Sequence, residues 1–276
     1  MSHGYVYEHR WDEERARLHG LEIALDPGTQ ERLLRLGVGR GARCLEVGAG
    51  GGAFASWLAE EVAPDGVVVA TDLETDFLEQ ITVQHPTLQV LRHDLSAEDL
   101  PGGFDLVHAR YLVEWLPDKA LGLRRMVAAL RPGGVLLDEE PDWVTTFETP
   151  QSSALRHVMV AAMRHLEATS PIDTQYGRRL VDDLTAAGLK DVEADGRCAI
   201  VRGGSPPAAG FLRLTIEKFR APLIDGQRVR EDELDEALAI LDDPAASVMF
   251  PLTVAAWGRR PGRPAGKSPR QATDAV

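Results

Sequence analysis

CLEVGAGGGAFASWLA, residues 44 to 59, decides how the rest of the chain is read. Arg43 to Val47 is a short, mostly apolar run suited to a buried strand. Gly48 to Gly52 is a glycine turn, and a helix opens at about Ala53. Gly48, Gly50 and Gly52 alternate, so the backbone can turn sharply, take positive φ and approach a ligand with no Cβ in the way. The following helix aims its free N–H groups at whatever lies over the turn, and a nucleotide-like ligand suits such a place. Gly48, Gly50 and Ala53 satisfy the dinucleotide pattern G-x-G-x-x-[GA], and Asp72 follows at about the distance of a ribose-binding acid, roughly 20 residues on. Glu46 favours a different ligand. A carboxylate beside the turn repels a pyrophosphate and suits an ammonium or sulfonium charge.

Four more stretches join the first. VVVATD (67–72) is a continuous apolar run ending in an acid, as a doubly covered parallel strand requires. RHDL (92–95), FDLVHAR (104–110) and LRPGGVLL (130–137) follow in order. With E-x-G-x-G-x-G at Glu46 to Gly52, the set resembles the class I S-adenosylmethionine-dependent methyltransferases. The resemblance covers residues 40 to 142 by motif and 175 to 260 by element order.

It implies an α/β, Rossmann-like, seven-stranded sheet in the order 3-2-1-4-5-7-6, with the last strand antiparallel and helical lid insertions. It also implies S-adenosylmethionine as cofactor, bound around Glu46, Gly48, Ala49, Gly50 and Gly52. Asp72 would accept both ribose hydroxyls, a bidentate contact that a neutral side chain copies poorly, with Leu73 on the adenine. Asp94 would meet the adenine amino group and Leu95 flank the ring; the other reading of Asp94 is a cap or turn residue. Ala109 and Arg110 would lie at the methionine end, Arg110 pairing with the cofactor carboxylate or with Glu46. Tyr7 belongs to a segment that either folds over the cofactor or anchors the N-terminus by packing.

Many small-molecule members carry a His-His pair before a Leu-Pro-Asp turn. Here those places hold Glu114 and Trp115, so a histidine role is not carried over. If the acceptor atom is oxygen, a base is needed. His108, Glu114 and the group Glu139, Glu140 and Asp142 are the candidates. His108 is alternatively a satisfied structural histidine, and Glu114 an ion-pair partner, a pocket-lining residue or an exposed helix charge. The implied reaction is methyl transfer to O, N or C of a small metabolite, a secondary metabolite among the possibilities. Two alternatives stand beside it: a cyclase or decarboxylase using the same fold and cofactor without transfer, and an NAD-type oxidoreductase.

The remaining elements follow from pattern. Asp12 to Arg17 starts a helix, a second runs from Pro27 or Thr29 to Leu36, and others cover Thr75 to His85, 119 to 130 and Ser152 to Thr169. LKDVEADGRCAIVRG (189–203) supplies strand six, and Ser247 to Arg260 strand seven. The chain divides into an N-terminal helical cap (1–36), a methyltransferase domain (37–260) with helical insertions near 145–175 and 205–245, and a Pro/Gly-rich basic tail (261–276) expected to be disordered.

A formal net charge of −13 argues against nucleic acid and anionic membranes as partners and leaves a small molecule as acceptor. The two cysteines, Cys44 and Cys198, sit in apolar surroundings and read as buried hydrophobes, with no metal-ligand spacing. MSHGYVYEHRWDEER has no apolar core of a signal peptide and no run is long enough for a membrane helix, so a cytoplasmic protein, monomer or homodimer, is expected.

Overall fold

The computed structural model describes residues 13–148, 152–204 and 207–262. Nine strands occur in it: β1 (Arg43–Val47), β2 (Val67–Asp72), β3 (Leu88–Arg92), β4 (Phe104–Arg110), β5 (Leu130–Asp142), β6 (Lys190–Arg197), β7 (Ile200–Arg202), β8 (Ser247–Met249) and β9 (Leu252–Arg259). Seven form the main sheet in the order β3-β2-β1-β4-β5-β9-β6, and β7 pairs with β8 apart from it. β1 to β5 are mutually parallel, while β9 runs antiparallel to both β5 and β6. In main-sheet numbering this is the expected 3-2-1-4-5-7-6.

Helices cover the faces. They are α1 (Glu14–Arg35), α2 (Ala53–Val62), α3 (Asp76–Glu79), α4 (Lys119–Ala129), α5 (Val144–Glu148), α6 (Ser153–Thr169), α7 (Leu180–Ala186), α8 (Ala208–Glu217), α9 (Arg220–Asp225) and α10 (Glu231–Asp242). Alternation along the strands assigns the faces. Cys44, Leu106 and Leu137 pack with Leu33 of α1 and with Phe54 and Leu58 of α2. Leu45, Val107 and Leu136 point the other way, onto Leu123 and Met126 of α4 and Leu180 and Leu184 of α7. A third core joins Leu21 and Leu25 of α1 to apolar residues of α6, α8, α9 and α10, forming a helical layer above one end of the sheet.

Several boundaries differ from expectation. The two N-terminal helices are one: α1 runs unbroken through Pro27. Ile23 and Pro27 share the exposed face, where water can take the carbonyl that a proline four residues on leaves free. The helix expected over 75–85 shrinks to α3 and a 3₁₀ turn (Thr82–Gln84), because Ile81, Thr82 and Val83 form a β-branched run just before Pro86. Strands six and seven each break in two. At the break, Phe250 N donates to Ala199 O and the Cys198 thiol to Phe250 O, and the outer halves become β7 and β8. The stretch after residue 205 holds three helices, α8, α9 and α10.

Candidate active site

The order of the sheet reverses between β1 and β4, and the carboxyl ends of β1, β2 and β4 open there onto a cavity. Its floor is the glycine turn. Gly48, Gly50 and Gly52 have φ of +72°, +54° and +87°, a region that residues with a Cβ rarely adopt. Gly48 N and Ala49 N donate to Thr71 O at 2.8 and 2.9 Å, and Gly50 N donates to Asp72 Oδ2 at 2.9 Å. Asp72 therefore fixes the turn as well as facing the cavity. Among the described residues a Cβ added at Gly50 would touch only Leu18, at 3.4 Å, which leaves room over that residue for a ligand.

Most of the residues expected at a cofactor do line this cavity: Glu46, Gly48, Ala49, Gly50, Asp72, Leu73, Asp94, Leu95 and Arg110. Asp94 is also a turn residue, its Oδ1 accepting from Ser96 N at 2.8 Å and Ser96 Oγ at 2.6 Å. Among the described residues Arg110 forms no ion pair with Glu46. It donates instead to Asp26 Oδ1 at 2.6 Å and Thr29 Oγ1 at 3.0 Å on α1. Gly52 and Ala109 do not line the cavity; Gly52 caps α2 and Ala109 is buried in β4. Tyr7 lies outside the described residues.

Three cavity residues carried no sequence signal. Leu18 and Glu22 come from α1, and Glu22 Oε1 accepts from Ala53 N at the start of α2 at 3.2 Å. Burial pushes the Glu22 carboxyl above its ordinary range, against that hydrogen bond. His93, beside Asp94, keeps a buried Nδ1 with no hydrogen-bond partner. Only the tertiary position of α1 could have revealed the first two.

The candidate bases separate sharply. His108 is wholly buried and does not line the cavity. Its Nδ1–H donates to Glu46 Oε2 at 2.6 Å and its Nε2–H to Glu139 Oε2 at 3.2 Å. Burial would lower its pKa, but the Glu46 charge and the bonds to both carboxylates raise it to about 9. It is an imidazolium with both nitrogens occupied, and it cannot take a proton from substrate. Glu139 is a structural anion. It also accepts from Arg32 Nη1 at 2.5 Å and Thr29 Oγ1 at 2.5 Å, and despite burial its pKa is lowered by His108, Arg110 and Arg32.

Glu140 points to the opposite face, accepting from Leu112 N, Val113 N and Glu114 N at 3.1, 2.7 and 3.2 Å. It holds the 3₁₀ turn Val113–Trp115 and does not reach the cavity. Asp142 pairs with Arg178 at 2.7 Å. Of the candidates, Glu114 alone lines the cavity, buried and not on an exposed helix face. Burial first, then the Glu140 charge, raise its pKa well above the carboxylate range, with Lys119 only partly offsetting them.

Comparison with known proteins agrees with this geometry. A methyltransferase-domain family model matches residues 45–136. Methyltransferase str3 of Strobilurus tenacellus is 30% identical over 228 residues, 80% of this chain and 79% of that protein. Methyltransferase str2 of the same organism is 29% identical over 180 residues, 63% of this chain but only 62% of its own length. Among solved structures, phosphoethanolamine N-methyltransferase 2 of Haemonchus contortus, in complex with phosphomonomethylethanolamine and S-adenosylhomocysteine, superposes with a TM-score of 0.59 at 15% identity, over 95% of this chain and 61% of that one. The chain belongs to the class I S-adenosylmethionine-dependent methyltransferases, and S-adenosylmethionine is its cofactor.

The residues present fit that cofactor. The turn leaves Gly50 open, Asp72 ends the neighbouring strand with its carboxylate on the cavity, and the unpartnered His93 Nδ1 sits beside Asp94 where a purine edge would lie. Among the described residues no helix is long and apolar enough to cross a membrane, and no cluster has the makings of a metal site.

Proposed function

We propose that the chain moves the methyl group of S-adenosylmethionine to an O, N or C atom of a small metabolite held under the helical layer. One observation carries this reading: a single cavity joins the glycine turn and Asp72 to an apolar chamber lined from α6 and α8. Cofactor and acceptor would thus meet in one cavity. The proposed cofactor contacts are Asp72 on the ribose hydroxyls, Leu73 and Leu95 on the adenine faces, and Asp94 with His93 on its edge.

When bound, the cofactor supplies a methyl carbon already activated by a positive sulfur. What the protein must add is alignment, with the nucleophile about 3–3.5 Å from that carbon, and exclusion of water. Glu46 would set the position of the cofactor's positive charge, and it is held rigidly because His108 grips its Oε2 from below. α1, α6 and α8 wall the chamber, contributing Leu18, Met163, Leu166 and Phe211. His108, Glu139 and Glu140 act as a buried frame, and Glu114 faces the acceptor half.

Calorimetric titration with S-adenosylmethionine, S-adenosylhomocysteine and NAD tests the reading. Micromolar affinity for the first two and none for NAD is expected. Methyl-labelled cofactor then reports transfer into a supplied acceptor. Binding of NAD with no affinity for S-adenosylhomocysteine would overturn it.

A further inference from the structure

The half of the cavity remote from the glycine turn contains three buried polar atoms without a hydrogen-bond partner: Glu114 Oε2, Trp143 Nε1 and Thr215 Oγ1. Buried polar groups are nearly always paired in native proteins, so three orphans on one apolar chamber call for a ligand that completes them. Packing places them along one wall. The Trp115 and Trp143 indoles both lie beside the Glu114 carboxyl and interact with it, Trp143 at a geometry that leaves its Nε1 without a full hydrogen bond, and Trp143 stacks on Phe211 with ring centroids 6.2 Å apart. Thr215 follows Phe211 by one turn of α8, on the same face. Trp115, Met163, Leu166 and Ile172 supply the apolar surroundings.

Charge narrows the ligand further. Among the described residues Glu114 has no ion-pair partner, because the nearby Lys119 ammonium is spent on Leu116 O and Pro171 O at 3.0 and 3.1 Å. Glu140, just behind, accepts from three backbone N–H groups, which favour its charged form against the burial that lifts its pKa to about 7. A second negative charge beside it in a dry site is disfavoured, so Glu114 keeps its proton and offers an O–H. The two arginines on the cavity wall are committed elsewhere, Arg17 to Glu14 at 2.7 Å and Arg110 to Asp26 at 2.6 Å. Among the described residues the chamber therefore holds neither a spare cation for an anionic acceptor nor a carboxylate for an amine.

We propose that this chamber is the acceptor subsite and takes an uncharged, ring-bearing molecule whose hydroxyl or carbonyl oxygen accepts from the Glu114 carboxyl and the Trp143 indole, with the Thr215 hydroxyl meeting a second polar group. The assignment rests on the methyltransferase reading above. It makes Glu114 a binding residue that donates a proton in a hydrogen bond, not a base that removes one.

Three probes of one size but different charge test it, each titrated calorimetrically into protein saturated with S-adenosylhomocysteine. They are the neutral 2-(4-hydroxyphenyl)ethanol, the cation tyramine and the anion 4-hydroxyphenylacetate. The neutral alcohol is expected to bind at least about tenfold more tightly than either ion, the scale of one buried hydrogen bond. Glu114→Gln keeps a donor and is expected to stay within about threefold of the parent. Glu114→Leu is expected to lose about tenfold, as are Trp143→Phe and, more weakly, Thr215→Val. Affinity of each variant for S-adenosylhomocysteine reports that it is folded, and Trp143→Phe stands in if the leucine variant is not.

Preference for the amine or the acid, equal losses in the glutamine and leucine variants, or no binding of any probe would overturn the proposal. Failure of the parent protein to bind S-adenosylhomocysteine would instead overturn the methyltransferase reading itself.

Discussion

His108 and Glu46 are register partners on adjacent strands β4 and β1, and the imidazole Nδ1 lies 2.6 Å from the Glu46 carboxylate in a fully buried contact. The strand exchange that brings β4 beside β1 thus places a positive charge under the acid next to the glycine turn. Glu139 on β5 approaches the same ring from the other side, and Arg32 continues the chain to Asp195 on β6 at 2.5 Å. Four strands and α1 share one ionic ladder. Removing one member of a buried ion pair costs about 3–5 kcal/mol, because the partner charge stays buried.

Stability should fall as pH rises. The His108 pKa is raised to about 9 from an ordinary value near 6.5, so its contribution is fully present below about pH 6.5 and is lost between there and about pH 9. Glu114, Asp138 and Glu140 act in the same direction. Burial lifts all three, Glu140 to about 7, so as pH climbs from the ordinary carboxylate range toward those raised values the unfolded chain ionises first and stability falls. Denaturant midpoints are expected to be lower at pH 9 than at pH 6. In His108→Asn the midpoint should be lower throughout and the slope between pH 6.5 and 9 shallower. An unchanged slope would show that the histidine is neutral in the folded protein.

Asp72→Ala should separate affinity from stability. The carboxylate takes Gly50 N at 2.9 Å and Glu74 N at 3.3 Å, so its loss loosens the turn by about 1 kcal/mol. On the cofactor it stands to lose charge-assisted bonds to two hydroxyls, each worth about 1.5–3 kcal/mol. Calorimetry should therefore show affinity for S-adenosylhomocysteine reduced at least about tenfold, while the denaturation midpoint moves little. Unaltered affinity would place the ribose elsewhere.

What the sequence displayed and what it hid divide along a physical line. The glycine turn, Asp72 and the parallel core strands are local features, written in runs of residues whose spacing states their use. The ladder is not local: nothing around Arg32, Thr29 or Asp26 announces that α1 lies across the sheet, and a proline at 27 suggests a break there. The partition of β5 was equally hidden. Glu139 and Glu140 are adjacent, yet alternation sends one to the ladder and the other to the turn holding Glu114, leaving neither on the cavity. Glu114 stood out only as a departure from a histidine pattern. Its burial depends on Trp143, α6 and the segment carrying Asp173, whose backbone N donates to Glu114 O at 3.0 Å.

Two glycines of the turn should fail differently. Alanine at Gly50 must take φ near +54°, at about 1–2 kcal/mol, but among the described residues meets only Leu18 at 3.4 Å; the added methyl stands where the cofactor would approach. Alanine at Gly52 brings similar strain and sets a Cβ 2.7 Å from Ile81 and 2.9 Å from the buried Leu78, adding an overpacking cost of about 1–3 kcal/mol. Gly50→Ala is expected to lose S-adenosylhomocysteine affinity with a modest fall in midpoint. For Gly52→Ala the larger loss should be in denaturation. The reverse order would mean that the ligand passes over Gly52.

Gly20 tests whether the helical layer is held by close approach of α1 to α8. A Cβ there would lie 2.5 Å from Pro207 O and 2.9 Å from Phe211 N, both backbone atoms that cannot swing aside. In an open helix, glycine to alanine stabilises by about 1 kcal/mol. Here separation of the helices should dominate, giving a net loss of about 1–3 kcal/mol on chemical denaturation. The shift also moves Phe211, which stacks on Trp143 and lines the chamber, so probe binding to the acceptor half should weaken while affinity for S-adenosylhomocysteine is retained. A stabilised Gly20→Ala protein would show that α1 and α8 can part without cost, and that the layer over the chamber is loosely seated.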